Sequence, residues 1–228
     1  MEEERGTATR TAIIAGCTGL IGTACLDIIL NEDRYAKVVA LSRRPLHREH
    51  PRLENKVVDF DRLEEFIEDI RLDDAYCCLG TTIKQAGSQE AFKKVDYEYV
   101  MRFARCAREA GAKRLMLVSA VGVSADSRIF YNRVKGEVER DVKQLGYPVL
   151  HIFRPSLLLG NRREFRFGER VAAVFMKVLK PLMIGGWTRY RGISGLRVAR
   201  AMRAAAFSGK EGLHTHEYRD MQELTGGR

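Results

Sequence analysis

From residue 11 to residue 154, short apolar runs alternate with longer stretches of helical periodicity. Residues 12–15, 38–41, 57–58, 75–79, 115–119 and 149–153 read as strands. Most are runs of four or five residues bounded by turn signals, the pattern of strands buried on both faces. Helical patterns fill the gaps at 20–30, 63–70, 89–110 and 129–145. Strand–helix alternation of this kind builds right-handed βαβ units, and these stack into an α/β fold with a doubly wound parallel sheet. The longest helix follows Ser88, an N-cap residue, and stops at Gly111; Phe92, Val95, Tyr99, Phe103 and Ala107 mark its predicted core stripe.

After Arg154-Pro155 the pattern changes. An apolar exit at 156–160 leads to a charged loop at 161–168 and a helical stretch at 171–179. Gly185-Gly186-Trp187 then interrupts, Ser194 caps a helix running to about 207, and a last strand falls at 213–218. No internal repeat is visible. The expected organisation is a flexible tail at 1–9, one sheet domain at 10–160, and a small cap at 161–222 packed over one end of the same domain. Those last residues are too few for an independent core.

Composition narrows the class. A chain of 228 residues with 45% hydrophobic and 30% charged residues is that of a globular protein with one large core. No apolar run has the length of a membrane span, so no membrane association is expected. The acidic start, Met1-Glu2-Glu3-Glu4, lacks an apolar signal core, and five cysteines without a CxxC pair fit a reducing compartment. A cytoplasmic protein is expected. The formal charge of +9 is scattered through the helices rather than gathered in one tract, so no nucleic acid partner is expected. His214 and His216 share a strand face without a third ligand in view, and no metal is expected there.

The most informative stretch is Ala15-Gly16-Cys17-Thr18-Gly19-Leu20-Ile21-Gly22. Three glycines spaced three apart close a buried strand and open a helix, the arrangement that seats a pyrophosphate. Gly16 turns the chain, Gly19 lets backbone N–H groups of Thr18, Leu20 and Ile21 approach phosphate oxygens, and Gly22 lets the helix pack on the strand. The second strand ends Leu41-Ser42-Arg43-Arg44-Pro45. An acid here would accept a ribose 2′-hydroxyl, whereas a guanidinium pairs with a 2′-phosphate and stacks on adenine. Arg43, with Arg44 beside it, therefore favours NADP. Asp59 and Phe60 after the third strand, and Leu79, Gly80 and Thr81 after the fourth, complete the expected cofactor contacts.

Ser119 ends the fifth strand, and Tyr131 and Lys135 follow as Tyr-x-x-x-Lys on one helical face. This set suits carbonyl–alcohol chemistry. Tyr131 gives or takes the proton, Lys135 holds the ribose hydroxyls and its charge favours the phenolate, and Ser119 binds the carbonyl oxygen. Gly136, unfavourable in a helix interior, indicates a close contact directly after Lys135.

The glycine turn, the arginine pair and Tyr-x-x-x-Lys together resemble the short-chain dehydrogenase/reductase superfamily. The nearer likeness is to its atypical branch, which contains the Tat-interactive protein oxidoreductases and their bacterial relatives. Cys77-Cys78-Leu79-Gly80-Thr81-Thr82, Val95-Asp96 with Tyr99-Val100, Val134-Lys135-Gly136-Glu137-Val138-Glu139 and Phe153-Arg154-Pro155 are similar to that group. The resemblance implies a Rossmann domain with NADPH on Gly16, Gly19, Gly22, Arg43, Gly80, Tyr131 and Lys135. It also places the backbone of Pro155, Ser156 and Leu157 near the nicotinamide. One departure is Ser119-Ala120-Val121, where the group often carries two serines before a lysine. The expected function is NADPH-dependent reduction of a small carbonyl substrate. The alternative is a non-catalytic NADPH-binding regulator or redox sensor acting through a protein partner; a homodimer is also open.

Overall fold

The computed structural model describes residues 9–159 and 191–226. Nine strands occur among them: β1 (Arg10–Ala15), β2 (Tyr35–Ser42), β3 (Leu53–Val57), β4 (Asp74–Cys77), β5 (Arg114–Val118), β6 (Val149–Phe153), β7 (Leu158–Leu159), β8 (Ile193–Ser194) and β9 (Gly212–His216). Seven form one sheet in the order β3-β2-β1-β4-β5-β6-β9, every neighbouring pair parallel. β7 and β8 pair separately. The order runs outward from β1 in both directions, so the sheet is doubly wound and a crevice opens between β1 and β4 at their carboxyl ends.

Alternation along the strands explains why both faces are covered. Ile13, Ala15, Ala75, Cys77, Leu115, Leu117, Leu150 and Ile152 point into one core. Ala12, Ile14, Tyr76, Met116 and Phe153 point into the other. The first core is closed by α5 (Tyr99–Glu109) and α6 (Phe130–Val142), with Val100, Phe103, Ala104, Val138 and Val142 packed inward. The second is closed by α1 (Leu20–Leu30) and the helix Gly195–Ala206, through Cys25, Leu26, Ile29, Val198, Ala199 and Met202. Cys77 and Cys78 thus face opposite cores, as neighbours on a strand must.

Three expectations are corrected. The third strand lies at Leu53–Val57 rather than 57–58; as an edge strand it is half-buried and its Leu-Glu-Asn-Lys-Val sequence has no continuous apolar run to reveal it. The helix at 89–110 is not one regular helix. It comprises α4 (Gln89–Lys93), a π-helical turn (Lys94–Glu98) and α5, preceded by the short α2 (Glu64–Ile67) and α3 (Ile83–Ala86). The wider turn, closed by the Tyr99 N–H on the Lys94 carbonyl, rotates the helix face. Phe92, Asp96, Val100 and Phe103 are buried, while Val95 and Tyr99 are only half-buried. The third correction concerns the stretch assigned to a cap. Its loop at 161–168 and helix at 171–179 lie outside the described residues. The helix Gly195–Ala206 and β9, however, extend the sheet domain itself: the helix buries Val198, Ala199 and Met202 in the second core, and β9 pairs in parallel with β6 at the sheet edge.

β6, paired with β9, adds a third histidine to the pair noted in the sequence. His151 on β6 faces both His214 and His216, with ring centroids 5.0 and 5.1 Å away and the latter two 6.4 Å from each other, and its Nδ1 lies 2.9 Å from His216 Nε2. Phe153 continues the stack at 4.8 Å from His216. Burial, reinforced by the neighbouring imidazoles and Lys210, pushes His151 down to about 3. Burial likewise pushes His216 down to about 4, although Asp220 pulls the other way. The unfolded chain binds these protons near the ordinary value of 6.5, before the folded chain does. Stability should therefore be complete above that pH and fall as pH drops from there toward 4 and below. Urea unfolding across this range should show the loss, and His151→Phe should flatten it. An unchanged slope in that variant would assign the acid sensitivity elsewhere.

Candidate functional site

The glycine turn joins β1 to α1 at the crevice. Gly16 has φ +81°, and a Cβ there would fall 2.4 Å from the carbonyl of Cys78 at the exit of β4. A Cβ on Gly22 would fall 2.0 Å from the Gly16 carbonyl oxygen. Helix and two strand ends therefore meet backbone to backbone. The Gly19 N–H donates to the Gly16 carbonyl at 3.0 Å, and Thr23 ties back to the Cys17 carbonyl at 3.1 Å. α1 starts with Gly19 as N-cap, without a side-chain cap and without an acid in its first turn. The N–H groups of Leu20, Ile21 and Gly22 are those that an α-helix leaves for an external acceptor, and an anion fits there. Thr18 and Gly19 are exposed beside them.

At the end of β2, Ser42 is buried and donates to the Arg44 carbonyl at 2.7 Å, while Asn55 donates to Ser42 Oγ at 2.8 Å. This shapes the loop and leaves Arg43 and Arg44 exposed, with no ion pair to either among the described residues. Asp59 lies at the carboxyl end of β3, but one carboxylate oxygen already accepts the Asp61 N–H at 2.9 Å. Phe60 is a core residue, its ring 5.5 Å from that of Tyr99, so a cofactor would meet its backbone at most. Leu79 also packs against the core.

Tyr131 and Lys135 stand one turn apart on α6. The Tyr131 ring packs 5.5 Å from Phe92. Ser119 follows β5 directly, its N–H donating to the Phe153 carbonyl at 2.7 Å, and its buried hydroxyl has no hydrogen-bond partner among the described residues. The loop after Ser119 is pinned to α6 by the close approach at Gly136, where a Cβ would lie 2.1 Å from the Ser124 carbonyl carbon. Beyond β6, the Pro155 carbonyl accepts the Val121 N–H at 3.0 Å, the Leu157 carbonyl accepts from Ile193 at 3.0 Å, and the Ser156 hydroxyl donates to the Arg191 carbonyl. The exits of β1, β4, β5 and β6 thus bring the glycine turn, Gly80 and Thr81, Ser119 and Pro155 to one edge of the sheet.

The residue that spacing did not single out is Asp96. It is fully buried in the π-helical turn, with one oxygen 2.8 Å from Lys135 Nζ and the other accepting the Thr81 N–H at 2.7 Å. Gly80 lies over the pair; a Cβ on it would sit 3.5 Å from Asp96 and 3.6 Å from Lys135 Nζ. The available signal was an acid next to the predicted core stripe. A regular helix puts Asp96 off that stripe, and the π turn brings it inward. One turn beyond Lys135, Glu139 is buried and accepts from Arg154 Nε at 3.0 Å and from Nη2 at 2.5 Å.

The family described as NAD dependent epimerase/dehydratase matches residues 12–140. Protein HTATIP2 of Rattus norvegicus is 34% identical over 206 residues, spanning 89% of this chain and 83% of that protein. A protein of Eremothecium gossypii, FMP52, mitochondrial, is 34% identical over 74% of this chain and 76% of its own length. The FMP52, mitochondrial, of Candida albicans is 32% identical over 82% of this chain and 80% of its own. Among solved structures, MoeE5 in complex with UDP-glucose and NAD aligns with TM-score 0.66 at 17% identity, covering 96% of this chain and 83% of that one. WbmH of Bordetella bronchiseptica in complex with NAD+ aligns at 0.67 with 16% identity, covering 92% and 76%. These structures share the fold. The fungal names correct the expectation of a cytoplasmic protein. The lack of an apolar signal core speaks only to secretion; mitochondrial addressing reads an amphipathic, basic segment instead.

The contact at Gly136 yields a direct test. Gly136→Ala must push the Ser124 backbone away or distort α6, at a cost of roughly 1–3 kcal/mol. Thermal unfolding should show a midpoint lowered by several degrees. An unchanged midpoint would mean that the loop after Ser119 is not held by α6.

Proposed function

The chain belongs to the NAD dependent epimerase/dehydratase family, and we propose that it is an NADPH-dependent reductase of a small carbonyl compound. The observation that carries the reading is the Ser119 hydroxyl, buried and without a partner among the described residues, at the start of the loop packed on the helix that bears Tyr131 and Lys135. An unmade hydrogen bond of this kind costs about 1–3 kcal/mol, and a substrate carbonyl oxygen would supply the missing acceptor. With that oxygen held by Ser119, the Tyr131 phenol is the proton donor to it. NADPH, when bound, supplies the hydride. Lys135 holds the ribose hydroxyls and keeps a positive charge near the phenol.

The chain's own residues fit the cofactor. The uncapped start of α1 suits the pyrophosphate, and its close packing leaves no side chain in the way. Two exposed guanidiniums at the end of β2, without an ion pair among the described residues, suit a 2′-phosphate, where an acid would repel it. Pro155, having no N–H, leaves Ser156 and Leu157 as backbone donors toward the carboxamide.

Two variants test the reading. Arg43→Ala should weaken NADPH by tenfold or more, the scale of losing a charge-assisted pair of about 1.5–3 kcal/mol, and leave NADH nearly unchanged. Calorimetric titration showing equal losses for both would remove the basis for NADP. A panel of aldehydes, ketones and quinones, followed at the nicotinamide absorbance band, should reveal a substrate. On it, Tyr131→Phe should lower turnover by about 10²-fold or more while NADPH affinity stays level. Full activity in Tyr131→Phe would exclude Tyr131 as the proton donor.

A further inference from the structure

Lys135 is an ammonium group inside the protein. Its side chain is 7% exposed, that of Asp96 is wholly buried, and the two meet at 2.8 Å. Burial by itself drives a lysine toward its neutral form. It is the largest influence on Lys135, yet the charge and hydrogen bond of Asp96, helped by Tyr131 and Cys77, outweigh it and hold Lys135 above its ordinary value. Asp96 has a second tie, to the Thr81 N–H in the loop leaving β4. It sits in the π-helical turn, where the widened backbone carries it to the buried face.

We infer that Asp96 is a positioning residue: its carboxylate is the counter-ion that keeps the buried Lys135 ammonium charged and aimed, and it ties that ammonium to the loop at 78–82. The inference rests on the reductase reading for its functional meaning, since that reading needs a charged Lys135. The geometry accounts for the division of work. One carboxylate oxygen stands at ion-pair distance from the ammonium, whose three N–H donors can also reach ribose hydroxyls. The other oxygen fixes Thr81, so the loop under the cofactor and the lysine beside it move as one. Of the other groups that bear on Lys135, the Cys77 thiol is pushed up to about 12 by burial and so stays neutral. Asp96 is then the anion that balances it.

The test uses Asp96→Asn, which keeps the shape and an oxygen for the Thr81 N–H but removes the charge. Full-length protein carrying carbon-13 at the lysine Cε, with the Lys135 signal assigned by Lys135→Arg, reports the charge state directly and needs neither cofactor nor substrate. In the unsubstituted protein Lys135 should stay charged up to its ordinary range or beyond. In Asp96→Asn its midpoint should fall by about one pH unit or more, a tenfold loss of proton affinity. NADPH affinity, and the alkaline limb of any turnover, should then decline at correspondingly lower pH. A midpoint that stays within about 0.3 unit in folded Asp96→Asn overturns the inference.

Asp96→Asn with Lys135→Met controls for folding. If the single variant fails to fold and the double variant folds, the unbalanced ammonium is the lesion and the inference stands. If neither folds, Asp96 serves the backbone through Thr81 rather than Lys135, and the inference fails. A chain that binds no NADPH, or reduces nothing, would defeat the reductase reading while the lysine titration still decides the role of Asp96.

Discussion

Three pieces of bare backbone cross at the centre of this fold, and the rest is arranged around that crossing. The turn after β1, the first turn of α1 and the exit of β4 approach so closely that a Cβ on Gly16 or Gly22 would overlap main-chain atoms. The contact fixes α1 against the sheet at the point where strand order reverses. It also carries outward: Gly195, at the start of the helix Gly195–Ala206, packs on Leu20, where a Cβ would lie 2.9 Å from Leu20 Cγ. That helix lies beside α1 and closes the second core with it. A side chain at the crossing would therefore disturb both the uncapped start of α1 and the layer that covers the sheet.

The opposite side of the crevice is organised by α6. Tyr131, Lys135 and Glu139 recur at intervals of four and so share a helix face. Lys135 pairs with Asp96 on the neighbouring helix, and Glu139 pairs with Arg154 at the exit of β6. Hydrogen bonding to Glu139 holds Arg154 above its ordinary value despite its partial burial. Buried pairs of this kind add little net stability, but removing one partner typically costs about 3–5 kcal/mol because the other charge is left stranded. Their effect is alignment. They hold α6 to the loop after β4 and to the exit of β6, while Gly136 presses the same helix onto the loop after Ser119.

The doubly wound sheet was legible because buried parallel strands are nearly continuous apolar runs, and the glycine turn because only glycine fits that crossing. α1 and β6 coincide with the expected limits for the same reason. β3 was misplaced because an edge strand need not be apolar on both faces. The π-helical turn was invisible, since one extra residue per turn leaves no compositional mark. With it went the inward position of Asp96. The helix Gly195–Ala206 was found through Ser194, whose hydroxyl accepts the Arg197 N–H at 3.2 Å, but its place in the sheet layers was not. Local capping chemistry reveals where a helix begins, while its packing partner depends on which sheet face remains uncovered.

The same distinction governs the positive charge. Arginines toward the amino edge of the sheet are answered by acids: Arg34 and Arg203 by Glu32, Arg114 by Asp74, Arg52 by Asp33. Glu32 shows how strongly. Burial works against its ionised form, yet hydrogen bonds from Arg34 and Arg203 bring it down to about 2. Arg34 also lies 3.5 Å over the Phe207 ring, which fixes its guanidinium further. Arg43 and Arg44 have no such partner among the described residues, and the Ser42 hydroxyl that precedes them is turned onto the backbone. Residue type alone does not separate the two groups. What separates them is an acid within reach of the first group, whereas among the described residues none pairs with Arg43 or Arg44, and both lie at the carboxyl end of β2, on the same edge of the sheet as the uncapped start of α1.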